Sequence, residues 1–339
     1  GTDGTGNNLM LFTAAGKLLW ALPCEGRYIQ DLFVTDTGDV AASANMPAVA
    51  AVYSPEGKKR WSAEAFFVQN TWDLRTIQSE VDHAAISPDG SRVYLNRREG
   101  ALACRKLDTG EELWQWKPPA AAAEVRPYIQ RVLPVQDGRM LLVSVGRRTP
   151  AHEYGSAHRE AMYSSVCAVN PADGNIIWEA KWPAYGYCRE MGGSGEGYWG
   201  MMGYHLAATP DGSRVVAVCR FGDIHVLDGT DGKVLRFVPY YRMPESKRIP
   251  CRASITPDGG QVLLRSESPT WPGITNMAEY DIPTDVWTML LNCGTGEIRD
   301  LGGDEAAVDA TVLPAGGGFI LARWDGMVAQ VLPDGQAAW

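Results

Sequence analysis

None of the cysteine spacings that hold zinc, haem or a redox pair occurs in this chain. Its seven cysteines, Cys24, Cys104, Cys167, Cys188, Cys219, Cys251 and Cys293, form no C-x-x-C or C-x-x-C-H and pair with no His at ligand spacing, which excludes zinc-ribbon, thioredoxin-type and c-haem chemistry. Positive charge is in deficit: Lys+Arg 31 against Asp+Glu 40 leaves a net charge of −9. That is the wrong sign for a general nucleic-acid binder, which must neutralise phosphates. Long apolar runs are missing too. The longest, such as Pro47–Val52 and Pro118–Ala123, fall far short of the roughly 18 residues of a membrane-spanning helix, so no membrane span is expected. Gly1–Asn8 is small and polar, so no signal sequence is expected there. There is no G-x-S-x-G elbow, and GSGEG at 193–197 lacks the Lys of a phosphate loop. What the chain does have is 45% hydrophobic residues, enough apolar surface to exclude a disordered polymer.

The cysteines divide by context. Cys104, Cys167, Cys219 and Cys293 stand in apolar, strand-like runs and are expected as buried free thiols. Cys24, Cys188 and Cys251 fall in loop segments, and an odd total leaves at least one thiol unpaired within the chain.

A repeat dominates the rest. Seven segments carry an apolar run, a Gly-containing turn and a short strand, most of them closed by an aromatic: LMLFTAAGKLLW, AVYSPEGKKRW, ACRKLDTGEELW, CAVNPADGNIIW, HVLDGTDGKVLRF, LLNCGTGEIRDL and QVLPDGQAAW. They end at Trp20, Trp61, Trp114, Trp178, Phe237, Leu301 and Trp339, at spacings of 41, 53, 64, 59, 64 and 38 residues. A minimum near 40 with insertions suits a four-stranded propeller blade. A second hairpin precedes six of the seven. AAISPDGSRVYL, AATPDGSRVVAV and SITPDGGQVLLR are the clear copies; FVTDTGDVAA, VLPVQDGRMLLV and TVLPAGGGFILA are looser ones. Two β-rich runs around a Pro/Asp/Gly turn form a hairpin. Two hairpins in succession make an A-B-C-D meander, and no long stretch carries the 3.6-residue period of a helix.

The endings, best in LDTGEELW, resemble the PQQ-type propeller repeat, and SPDGSRVYL is similar to the YVTN family of propeller repeats. The resemblance implies an all-β fold: a β-propeller of four-stranded antiparallel blades, formed by a single domain over 1–339. Seven blades with an incomplete first one is the reading; six blades plus a hairpin is the alternative. The resemblance also implies a periplasmic or secreted protein. It does not extend to PQQ, because the vicinal Cys-Cys pair of quinoprotein dehydrogenases is absent. No cofactor is expected, although a divalent cation remains compatible with the acidic residues. Such repeats specify a scaffold and not a reaction.

Loop lengths single out one face. A-B and C-D turns share one end of a blade and are uniformly tight. The insertions 62–82, 146–163, 181–203, 238–251 and 266–286 all fall at the other end, where long loops on a rigid scaffold carry binding residues. Their aromatics, among them Trp72, Tyr187, Tyr198, Trp199 and Trp271, suit sugar or protein contacts. At one register of strand A, counted back from the turn, stand Asp31, His83, Arg131, His205, Arg252 and Asp309, which would encircle the channel mouth at the long-loop end. His83 and His205 are candidate acid/base groups, and Arg131 and Arg252 candidate carboxylate or sulfate ligands. Asp31 and Asp309 orient the imidazoles or bind a cation. His225, in strand C, reads as a packing residue. The expectation is a binding or interaction protein for a polar or carbohydrate ligand or a partner protein. The alternative is a lyase- or sulfuryl-transfer-type enzyme on an anionic saccharide or ester, with His83, His205, Arg131 and Arg252 catalytic.

Overall fold

Runs of Val, Ala, Leu and Ile broken every few residues by Gly-bearing turns leave the backbone little choice but short antiparallel strands. The computed structural model describes residues 9–13, 15–24, 28–45, 49–64, 84–97, 100–119, 126–148, 163–183, 204–219, 223–239, 252–265, 288–301, 307–313, 318–323 and 328–332. The chain divides into two compact units, 1–143 with 169–176, and 144–168 with 177–339.

The first unit contains the sheets β1-β2, β3-β4-β5-β6 and β7-β8-β9-β10. Their strands are β1 (Leu9–Phe12), β2 (Leu18–Leu22), β3 (Tyr28–Val34), β4 (Val40–Asn45), β5 (Val49–Tyr53), β6 (Lys59–Glu64), β7 (Ala84–Ile86), β8 (Arg92–Arg97), β9 (Ala101–Lys106) and β10 (Glu112–Trp116). The fourth sheet carries the boundary between the units, in the order β11 (Arg126–Val135), β12 (Met140–Arg148), β13 (Tyr163–Val169), β14 (Ile176–Pro183). The second unit holds β15 (Tyr204–Ala208), β16 (Arg214–Cys219), β17 (Ile224–Asp228) and β18 (Val234–Val238) as one sheet. A second sheet there is β19 (Arg252–Ile255), β20 (Gln261–Arg265), β21 (Thr288–Asn292) and β22 (Ile298–Asp300). A third is β23 (Ala307–Val312), β24 (Phe319–Arg323) and β25 (Val328–Val331). Each sheet is a meander with its earliest strand on one edge and its last on the other. A single 3₁₀ turn, Gln136–Gly138, is the only helical element among the described residues.

In four repeats the outer strand is locked to the next repeat by its tryptophan. Trp20, Trp61, Trp114 and Trp178 donate their indole N–H to the carbonyls of Pro55 (2.8 Å), Leu107 (2.6 Å), Pro171 (2.9 Å) and Gly229 (2.9 Å). Each ring lies on the turn glycine beside that carbonyl. A Cβ on Gly232, whose φ is +75°, would come within 2.5 Å of Trp178, so only glycine admits both the backbone and the ring. One residue is bulged out immediately before this position: Leu19, Arg60, Leu113 and Leu235 oppose nothing, and the next residue re-enters register. In β18 that next residue is Arg236, paired with Val226. Arg236, not the terminal Phe237 of the sequence repeat, therefore takes the tryptophan's place; its guanidinium donates to the Gly294 carbonyl and its stem lies over Gly296. Phe237 instead tilts against His225.

The core lies between adjacent sheets. In the second unit Val216, Val218, Ile224 and Val226 of one sheet meet Ile255, Val262, Leu264 and Met289 of the next. The other face of that next sheet packs Leu263 and Leu290 against Phe319 and Leu321. Ala41 and Val52 likewise meet Val93 and Leu95 in the first unit. Such packing buries both faces of the B and C strands, which is why they read as continuous apolar runs.

Candidate functional site

The first strands of successive sheets lie side by side within each unit. In the first, β7 touches β3 and β11; in the second, β19 touches β15 and β23. Candidate residues distant in sequence therefore stand on strands of one row: Asp31 on β3 and Arg131 on β11, to either side of β7, and His205, Arg252 and Asp309 on the successive strands β15, β19 and β23. Their common register follows from the hairpins. Thr35, Thr209, Thr256 and Leu313 each donate the backbone N–H that opens the A-B turn, and each stands four residues after its candidate. The pairing partners are Ser43 for Asp31, Val218 for His205, Arg265 for Arg252 and Ala322 for Asp309. His205 and Arg131 are half-buried. His83, Trp72, Tyr187, Tyr198, Trp199, Trp271, the bulk of the long insertions and Trp339 lie outside the described residues.

The two ends of the strands differ chemically. At the tight-turn end, hydroxyls and carboxylates satisfy the turn backbone. Asp211 accepts from Ser213 N–H (3.0 Å) and Oγ (2.8 Å), Asp258 from Thr256 Oγ1 (2.6 Å) and Gly260 N–H (2.9 Å). The Thr209 hydroxyl first, then Ser213, holds the Asp211 carboxyl below its ordinary range; Thr256 first, then the Gly260 N–H, does the same for Asp258. These carboxylates are occupied with folding. In the strands themselves the buried polar side chains among the described residues are Ser43, Asn96, Ser144, Ser165, His225, Arg265 and Thr288. Most stand within a few residues of the B-C connection, at the long-loop end. Asn96 donates its amide to the Ile129 carbonyl at 2.8 Å, tying β8 to β11, and its Oδ1 has no donor among the described residues. Buried polar atoms carry a desolvation cost, and both ends bear it: Ser54, Ser87, Thr209 and Thr256 are buried at the tight turns, where their hydroxyls accept from turn N–H groups.

His225 behaves as the packing residue its strand position implies. It stacks on Trp182 (centroids 4.2 Å apart, planes 13° apart) and tilts against Phe237 at 4.9 Å, and burial pushes its pKa down to about 4. Cys104, Cys167 and Cys293 are buried thiols as expected, and neither they nor the half-buried Cys24 forms a disulfide among the described residues. Burial raises the pKa of Cys104 and Cys293 to about 11. No group of three or more His, Cys, Asp or Glu able to hold a metal ion occurs among the described residues. No helix among them is long and apolar enough to cross a membrane.

Arg265 and Thr288 are the residues that reading strand A alone overlooks. The signal was present: Arg252 and Arg265 stand on either side of the TPDGG turn, so counting outward from the turn pairs them.

No family model matches the chain. No curated protein matches it in sequence. Among solved structures, the fold is similar to that of BamB from Moraxella catarrhalis, with a TM-score of 0.55 and 16% identity over 96% of this chain and 79% of that one. At that identity the likeness concerns the fold: an all-β, propeller-like arrangement of antiparallel sheets.

Proposed function

We propose that the chain is an interaction protein: one propeller domain over 1–339, its sheets closed into a seven-membered ring, that binds a partner protein through the long-loop end. The observation that carries this reading is the accumulation of sequence insertions at that end, where the strands also bury Ser43, Asn96, Arg265 and Thr288. Likeness in fold to BamB supports the scaffold half of the reading. Resemblance to exported propeller repeats supports a location outside the cytoplasm. Arg131, His205 and Arg252, with Asp31 and Asp309, are the proposed contacts, and the loop aromatics Trp72, Tyr187, Tyr198, Trp199 and Trp271 the proposed rim.

Site-specific photo-crosslinking in the native host tests it. A photoreactive residue at 131 or 205 is expected to capture a discrete partner, whereas one at 211 or 258, in the tight turns, is not. Capture confined to the tight-turn positions, or equal from both ends, overturns the reading.

A further inference from the structure

Ten Asp-Gly steps occur in the sequence, and seven fall among the described residues, at Asp89, Asp137, Asp173, Asp211, Asp228, Asp231 and Asp258. In this dipeptide an aspartyl carboxyl is open to attack by the next backbone nitrogen, because glycine adds no side chain to hinder the approach. Six of the seven are restrained in the same way. Each carboxylate accepts the backbone N–H of the residue two further on, at 2.8–3.0 Å, and the N–H of the following glycine donates to a backbone carbonyl. Both groups that would react are therefore engaged elsewhere. The hydroxyls of Thr209, Thr230 and Thr256 are the first cause that holds Asp211, Asp228 and Asp258 below the ordinary range, so they are ionised at neutral pH and poor electrophiles.

Asp137 is different. It is exposed, and its carboxylate accepts no hydrogen bond among the described residues. The N–H that would hold it, that of Arg139, donates instead to the Gln136 carbonyl at 3.1 Å, as does Arg139 Nε. Gln136 and Asp137 both have φ of +53° and are the only non-glycine residues in the left-handed region among the described residues, a conformation that L-residues adopt at a cost. The cause lies in two positions of local sequence. In the SPDG and TPDG turns Ser87, Thr209 and Thr256 supply a hydroxyl to the carboxylate, and the proline that follows each fixes φ near −65°. At the equivalent positions of the β11–β12 hairpin stand Val135, without a hydroxyl, and Gln136, without the ring.

We propose that Asp137-Gly138 is a self-modification site, at which the backbone isomerises to an isoaspartyl linkage while the six restrained steps persist. The Gly138 nitrogen attacks Asp137 Cγ and gives up its proton to water; the N–Cγ bond forms, a Cγ–O bond breaks, and one water leaves. Water then adds to the succinimide ring. Opening at the Asp137 backbone carbonyl leaves the chain linked through Cγ, with a free α-carboxylate and one extra methylene in the turn; opening at Cγ restores aspartate. One water leaves and one enters, so the step needs no oxidant, reductant or cofactor. The site goes beyond the interaction reading and does not depend on it.

Incubation of the intact chain at physiological pH and temperature in heavy-oxygen water, then digestion and mass spectrometry, reads every Asp-Gly step in the same molecule. Ring opening inserts one heavy oxygen, and electron-transfer fragmentation tells isoaspartate from aspartate. The Asp137 peptide is expected to gain both about tenfold faster than the six restrained steps, which must first break a hydrogen bond to a charged group. In urea the rates should converge, since the dipeptide is the same everywhere. The double variant Val135→Thr/Gln136→Pro rebuilds a TPDG turn without touching Asp137 or Gly138, and is expected to bring labelling at Asp137 down to that of Asp258. The converse variant, Thr256→Val/Pro257→Gln, should raise labelling at Asp258 and keeps the test open if the first does not fold. Native labelling at Asp137 no faster than at the six restrained steps overturns the proposal. So does a rate unchanged in the folded Val135→Thr/Gln136→Pro variant, or a difference between steps that persists in urea.

Discussion

His225 shows how a single side chain couples packing to solution conditions. An imidazole has an ordinary pKa near 6.5, and burial against Trp182 and Phe237 lowers it to about 4 in the folded chain. Between those two values the unfolded chain binds the proton more readily than the folded one, so stability rises with pH across the window. The contribution of His225 is complete above about pH 6.5 and is lost as pH falls toward 4, a total on the order of 3 kcal/mol. Urea unfolding from pH 7 to pH 4 is expected to show this loss, and His225→Leu to flatten it. An equal slope in the variant would mean that other groups carry the acid sensitivity. The tight-turn carboxylates act lower on the scale. Asp211 and Asp258 have depressed pKa values, so what they contribute persists above the ordinary carboxylate range and disappears only as pH falls through it.

At the scale of elements, the informative unit is the outer strand with its tryptophan and the turn it covers. Trp178 contributes both a buried hydrogen bond to Gly229 and a ring face on Gly232. Trp178→Phe keeps most of the ring and removes the donor, which is expected to cost about 1–2 kcal/mol. Gly232→Ala is expected to cost more than Gly16→Ala. Both glycines have φ near the left-handed region, +75° and +79°, but nothing lies within 4 Å of a Cβ at Gly16. Gly16→Ala therefore reports backbone strain alone, about 1–3 kcal/mol. Combining Trp178→Phe with Gly232→Ala should cost less than the sum, since the two residues touch. Additive midpoints in denaturant titration would contradict the contact. Arg236 shows that the docking position tolerates a different solution: from the same register a guanidinium reaches a carbonyl of the next repeat's turn, one residue further along than the tryptophan of β14 does.

For the molecule as a whole, the buried thiols report opening of the core. Cys104 and Cys167 are 0% exposed and Cys293 4%, against a half-buried Cys24. Burial also raises the pKa of Cys104 and Cys293 to about 11, so little reactive thiolate forms at neutral pH. Under native conditions at pH 8, maleimide or disulfide reagents are expected to modify Cys24 well before these three, as mass spectrometry of digests would show. Labelling of Cys104 and Cys293 should follow global unfolding with denaturant. Rapid native labelling of Cys104 or Cys293 would mean that the sheets separate locally.

Local chemistry made the strands and turns legible. The SPDG and TPDG turns, the apolar runs beside them and the Trp-closed endings each depend on neighbours a few residues away, so the sequence alone determined the hairpins, their order and the register of Asp31, His205, Arg252 and Asp309. The tertiary structure decided what depends on residues far apart. The carbonyl a tryptophan meets lies 35 to 57 residues away, which explains why Arg236 rather than Phe237 fills the docking position in β18. The opposition of Arg252 to Arg265, and of Arg265 to Thr288 across a connection of 22 residues, 266–287, exists only once three strands are hydrogen-bonded side by side. Side-chain alternation is written in the chain, but which groups share a face and which must bury a charge is settled when the sheets pack.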